Sequence, residues 1–172
     1  VTLGSLIVIS SNDMLWIYLG LEVQTLLFYL IVVFNPNASQ ASQSGMKYFI
    51  LGALFSTILL LGFSFIYIGI GTLDISAVHN FTNQSRTGFS YFLLHLGCTL
   101  VYCTIFFKLA IMPFTFWLSD VYESAPLPTT LALTLVPKFG YVCFLYKFTI
   151  FTSYIAHTPI AFLPLMLGVG LA

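Results

Sequence analysis

A polytopic, all-α transmembrane helix bundle is the fold the sequence predicts, and three observations predict it. Of 172 residues, 59% are hydrophobic and 6% charged, with a mean hydropathy of +1.02, a balance that no soluble globular domain of this size would show. Apolar stretches of bilayer length recur along the chain, separated by runs of Asn, Ser, Gly and Pro. Pro113 and Pro137 fall within two of these stretches, each close to a lysine, so some of the helices should be broken. Five to six segments are expected in a single domain, 1–172: a partial span over 1–10, then helices near 13–34, 45–70, 89–118, 129–151 and 158–172.

Val1 to Ile9 would cover about 14 Å as helix, half a bilayer, so it reads as the end of a span. Ser10 to Asp13 are turn and cap residues, after which Met14 to Phe34 gives about 31 Å of helix, stopped at Asn35-Pro36. Glu22 falls in the middle of that helix. A carboxylate at that depth is costly and faces either a partner or water inside the bundle; the plainer alternative is a neutral Glu bonded to backbone. Gly45 to Ile70 forms the next crossing, opened by Lys47. A cation in the first turn opposes the helix dipole, so Lys47 answers either to a neighbouring group or to the membrane interface. The connection from Gly71 to Gly88 is longer than usual and carries Asp74, His79 and Arg86.

The fourth segment matters most. Nineteen residues, Phe89 to Phe107, contain no Asp, Glu, Lys or Arg and a single histidine, His95. Lys108 follows, and Pro113 cannot donate to the carbonyl of Leu109. Broken backbone at membrane depth is tolerated only against protein or a water-filled cavity, so the kink and the lysine together indicate a hydrated, functional spot; the alternative is a lysine snorkelling to the surface. Asp120 and Glu123 lie beyond, near water or headgroups. Pro126 and Pro128 open the fifth segment, where Pro137 interrupts the helix directly before Lys138, repeating the device. Lys147, near Thr152 and Ser153, reads as an interfacial anchor. Thr158-Pro159 looks like the start of a sixth segment.

Composition also excludes. A formal net charge of zero leaves no basic patch for nucleic acid, and no Gly-rich phosphate loop is present. Cys98, Cys103 and Cys143 are odd in number and lack CxxC spacing, so they read as small buried hydrophobes, and no metal set is expected.

Three stretches carry a resemblance: NDMLWIYLGLEVQTLLFYLIVVF at Asn12 to Phe34, KYFILGALFSTILLLG at Lys47 to Gly62, and FKLAIMPFTFWLSDVYESAPLPTT at Phe107 to Thr130, the last the most specific. With VPKFG at Val136 to Gly140, they make the chain similar to the antiporter-like subunits of respiratory complex I, the proton-pumping NADH:ubiquinone oxidoreductase, subunit 2 among them. The resemblance implies that Glu22, Lys108 and Lys138 are the mid-membrane carboxylate and two lysines of a proton relay, and that Lys47 is the lysine opening the next helix. Two positions depart from the family pattern: Thr115 stands where His is usual, which removes a titrating group, and Ser124 where Gly is usual.

The implied function is proton translocation in the membrane arm, coupled to quinone reduction elsewhere. The chain itself is expected to hold no cofactor; NAD, flavin, iron–sulfur clusters and ubiquinone belong to partner subunits. Other membrane-arm subunits, the lipid bilayer and a separate chain carrying a second, inverted helix bundle are the expected partners. The expected location is the mitochondrial inner membrane, or a bacterial plasma membrane. Removing a lysine from water favours its neutral form and a nearby carboxylate favours the charged one, so a moving Glu22 would switch Lys108. At about 7 Å and an effective dielectric near 20, the pair would interact by roughly 2.4 kcal/mol. A multi-subunit sodium/proton antiporter subunit and a reduced, non-pumping structural subunit are the competing readings.

Overall fold

The computed structural model describes residues 1–33, 39–76, 88–112, 114–124 and 127–155. They form six helices: α1 Thr2–Ser10, α2 Met14–Val33, α3 Ser39–Ile70, α4 Gly88–Leu109, α5 Phe116–Ser124 and α6 Leu127–Ile155. Among the described residues, three stretches are long and apolar enough to cross a membrane: Met14–Ile31, Gly45–Ile70 and Gly88–Leu109, with mean hydropathies of 1.6, 2.4 and 1.7. The expected segment 158–172 lies outside the described residues.

Packing follows from small residues at the crossings. α3 lies along α4, and a Cβ on Gly97 would stand 2.7 Å from the carbonyl oxygen of Gly62. α1 meets α2 in the same way through Gly4 and Gly20. In lipid, where apolar burial drives little association, such backbone approach is what holds helices together. α2 also packs on α3 and α6, and α4 on α6, where the Tyr102 and Thr152 hydroxyls bond at 2.8 Å in the interior. Large apolar side chains such as Leu30, Ile68, Phe92 and Phe139 face outward, as lipid contact requires. Cys98 is buried but Cys103 is exposed and Cys143 half-buried, so burial does not hold for all three cysteines: positions 98 and 103 fall on different faces of α4.

The bends fall in different places from those expected. The fourth segment is broken into two helices, as expected, but α4 already ends at Leu109, before Pro113, which itself lies outside the described residues. Ala110 takes φ +56°, its N–H bonds the Phe107 carbonyl, and the Ile111 N–H bonds the Phe106 carbonyl, both at 3.0 Å. This is the Schellman closure usually made with glycine. An alanine in that conformation costs about 1–2 kcal/mol, and the contacts around it have to hold it there. α6, by contrast, runs unbroken through Pro137, which withholds one backbone N–H without ending the helix. α3 begins six residues before the expected Gly45, at Ser39.

The turn after α1 and the chain after α3 are clasped together, Met14 N–H to the Leu73 carbonyl at 3.1 Å and Ile75 N–H to the Asn12 carbonyl at 3.0 Å. The Asp13 carboxylate accepts from Leu15 N–H at 2.9 Å and caps α2. Lys147 is not a free interfacial anchor: its Nζ reaches the carbonyls of Val8, Ile9 and Ser11, at 3.3, 2.6 and 2.7 Å. A cation thereby satisfies the orphan carbonyls at the C-terminus of α1 and complements its dipole. Lys147→Met should loosen α1 from α6 at a cost of about 1–3 kcal/mol, read as faster amide hydrogen exchange in α1 within the assembled protein. Unchanged protection of those amides would rule out the clamp.

Candidate functional site: a buried lysine–glutamate pair at a helix break

Two apolar clusters fill the interior. One gathers Leu21, Phe63, Val101, Ile105 and Phe144, the other Phe28, Tyr29, Tyr48, Phe107 and Trp117. Glu22 and Lys108 lie where the two meet, each following or flanking a fully buried residue of its own helix. Lys108 Nζ stands 3.7 Å from Glu22 Oε1, with the lysine side chain 4% exposed and the glutamate 22%. The contact is an ion pair slightly longer than a hydrogen bond, and among the described residues neither atom has a hydrogen-bond partner. At that spacing and an effective dielectric near 20, the attraction is about 4 kcal/mol, larger than the expectation drawn for about 7 Å. A buried pair without further hydrogen bonds is held in place rather than stabilised by its burial, so the arrangement is poised to open.

Three features hold Lys108 there. It occupies the last turn of α4, where the helix dipole favours a cation. The α4 terminus is pinned by Trp117 of α5, whose Nε1–H donates to the Phe107 carbonyl at 3.2 Å. Below the ammonium lies the ring of Tyr141 from α6, 5.9 Å to its centroid, a cation–π contact. Tyr48 stacks on Trp117 at 4.9 Å and meets Tyr29 edge-on at 4.7 Å, while Phe55 stacks on Phe107 at 3.7 Å, so an aromatic wall closes the site on the α3 side. Glu22 is set by α2, where Thr25 Oγ1 donates to the Glu22 carbonyl at 3.0 Å. Gln24, wholly buried, turns toward α6, with its Oε1 3.4 Å from the place a Cβ on Gly140 would take.

Of the residues singled out from sequence, the structure therefore brings Glu22 and Lys108 together. Lys138 is half-buried on α6, one turn before Tyr141, so its helix face adjoins the ring beneath Lys108. Lys47 is exposed on α3, while its neighbour Tyr48 turns inward. Sequence reasoning did not single out Tyr29, Tyr48, Trp117 or Tyr141. Three of them lie in the quoted stretches, but a tyrosine or tryptophan in an apolar run looks the same whether it lines a site or faces lipid.

Residues 11–169 match the transmembrane family described as NADH:quinone oxidoreductase/Mrp antiporter. NADH-quinone oxidoreductase subunit N of Pelagibacter ubique is 38% identical over 136 residues, which cover 79% of this chain and 28% of that protein. A chain of respiratory complex I from Thermus thermophilus, solved with bound aureothin, superposes with a TM-score of 0.71 at 27% identity, over 84% of this chain and 31% of that one. A chain of the Mrp complex from Dietzia sp. DQ12-45-1b shares the fold, with a TM-score of 0.66 at 21% identity over 82% of this chain and 27% of that one. The chain thus spans less than a third of the length of these relatives, and they bear the name subunit N or belong to multi-subunit complexes rather than carrying the name subunit 2. The matched span holds Glu22, Lys108, Lys138 and Lys47 alike, and on that match the chain belongs to the NADH:quinone oxidoreductase/Mrp antiporter transmembrane family.

Proposed function

We propose that this chain is a proton-translocating part of the membrane arm of an NADH:quinone oxidoreductase, the counterpart of the proteins named subunit N or subunit 2. The observation that carries this reading is the buried Glu22–Lys108 pair at 3.7 Å beside a helix end closed by Ala110. Lys108 holds a proton while Glu22 is near and releases it when Glu22 withdraws; Lys138, reached across Tyr141, receives it, and Lys47 serves the exposed end of α3. The attraction of about 4 kcal/mol at this spacing exceeds the roughly 2.3 kcal/mol per charge per 100 mV that a pump works against. No step in this chain involves electrons. Hydride and quinone chemistry, with NAD, flavin, iron–sulfur clusters and ubiquinone, belongs to partner subunits, as does the second inverted bundle. The membrane is a respiratory one, the bacterial plasma membrane or the mitochondrial inner membrane, and the bacterial relatives favour the first.

A subunit of a multi-subunit sodium/proton antiporter would use the same pair, and the family description covers both classes. Purifying the assembly decides between them: an NADH-oxidising hydrophilic arm should copurify, and sodium-driven antiport without such an arm would favour the second reading. Within the first, Lys138→Ala should slow NADH-driven acidification in reconstituted vesicles by about tenfold or more, because proton transfer from Lys108 loses its acceptor. Full coupled rate in that variant would remove Lys138 from the relay.

A further inference from the structure

We infer that Gln24 is a positioning residue: its amide, seated between α1 and α6 and bonded to Ser5, fixes the rotation of α2 and thereby the side on which Glu22 stands. The inference rests on the proposed role of Glu22 in proton transfer. Gln24 is wholly buried, and among the described residues neither its Nε2 nor its Oε1 has a hydrogen-bond partner. Three helices shape its seat. A Cβ on Gly4 would stand 3.0 Å from Gln24 Cβ, so α1 lies this close to α2 because position 4 carries no side chain. A Cβ on Gly140 of α6 would stand 3.4 Å from Gln24 Oε1 and 3.5 Å from Ser5 Cβ, so the amide and Ser5 converge on the space that this glycine leaves. Ser5 is buried, and its Oγ donates to the Thr2 carbonyl at 2.8 Å, which leaves the hydroxyl oxygen free to accept. A turn about the terminal torsion of Gln24, a broad one for an amide, presents Nε2–H to that oxygen.

The helix period links this seat to the carboxylate. At about 100° per residue, Gln24 points about 200° away from Glu22, so α1 and α6 hold one side of α2 while Glu22 meets Lys108 on the other. Apolar side chains alone leave the rotation of such a helix loosely specified. One buried amide fixes the register of packed helices, because any other register strands it without a partner. A rotated α2 would misplace Glu22 and strand the Gln24 amide together. α1 is a firm reference for this contact, since the Lys147 clamp ties it to α6 two turns beyond Gly140, on the same face of that helix.

Two variants test this in the intact, assembled complex. Gln24→Met keeps the length of the side chain and removes the amide; Ser5→Ala removes its acceptor. Each should lower NADH-driven proton translocation by about tenfold to a hundredfold, the effect of misplacing a reacting group by about 1 Å, with thermal stability kept near that of wild type. A residue that only packs would not separate the two readouts. Gln24→Met combined with Ser5→Ala should translocate no less than either single variant, since both break the same bond. A structure of the wild-type assembly should place Gln24 Nε2 within hydrogen-bond distance of Ser5 Oγ. If Gln24→Met does not assemble, Ser5→Ala and the wild-type structure decide. Wild-type translocation in either assembled single variant, additive losses in the double one, or an amide without contact to Ser5 overturns the inference. Should Lys108→Ala nonetheless abolish translocation, only the positioning role falls and the relay stands; if Lys108→Ala translocates normally, the relay itself fails.

Discussion

Lys108→Ala, in an assembly that still contains its partners, should cut NADH-driven proton translocation by about a hundredfold, the usual consequence of deleting a group that gives and takes a proton. The geometry makes the loss hard to bypass. Among the described residues the ammonium is the one cation paired with Glu22, its side chain is 4% exposed, and the turn that carries it is closed off by Ala110 and pinned by Trp117. The substitution also strands a buried carboxylate, and breaking such a pair from one side costs about 3–5 kcal/mol. Stability and function are therefore confounded in the single variant. Lys108→Ala combined with Glu22→Gln separates them: removing both charges should restore thermal stability toward that of wild type and leave translocation absent. A well-assembled single or double variant that translocates at the wild-type rate would show that the pair is a structural contact, and the non-pumping structural reading would take its place.

Glu22→Gln should act nearly as strongly, by about tenfold to a hundredfold on translocation, with assembly largely kept. Gln has the shape of Glu and loses only the charge, so the bond from Thr25 Oγ1 to the backbone carbonyl at position 22 persists while the attraction of about 4 kcal/mol on Lys108 disappears. The ammonium is not left wholly without compensation. Tyr141 lies 5.9 Å beneath it, a contact worth about 0.5–2 kcal/mol, and the C-terminal end of α4 favours a cation. Lys108 then stays in place but no longer feels a movable charge, and the switch is lost. Purified assemblies reconstituted in vesicles, with NADH oxidation and internal pH followed together, measure this directly. Translocation per NADH equal to that of wild type would remove Glu22 from the mechanism.

Several elements were legible in advance because a single physical cost dominates them. Glu22 and Lys108 stand out in apolar runs since a charge in hydrocarbon is expensive wherever the neighbouring helices lie. The cap at Asp13 is local chemistry, a carboxylate two residues before the amide it accepts from. The stretch at Phe107 to Thr130 supported the family resemblance, since lysine, proline, tryptophan and carboxylates at those spacings are rare together.

Other elements were decided by partners distant in sequence. Lys147 looked like an anchor because lysines near helix ends snorkel; only the arrival of the α1 terminus beside α6 offers it three carbonyls. The break after Lys108 was assigned to Pro113, the strongest local breaker, yet α4 closes at Ala110, where Trp117 and the aromatic wall offset a backbone conformation that alanine by itself disfavours. Pro137 was expected to interrupt α6 as well, but a helix packed on α1, α2 and α4 keeps its direction through one missing hydrogen bond.

By itself, then, the sequence determined the solvent the chain lives in, its helical class and the charged residues that hydrocarbon would make costly, because each follows from transfer energies and helix periodicity counted along one segment. Tertiary structure alone decided that Glu22 meets Lys108 at 3.7 Å, that Tyr141 lies beneath the ammonium, and that Gly52 leaves room for a tyrosine hydroxyl beside it. Those distances depend on which faces of α2, α3, α4 and α6 turn toward one another, and in a bundle apolar on every side, hydrophobic patterning does not choose the face.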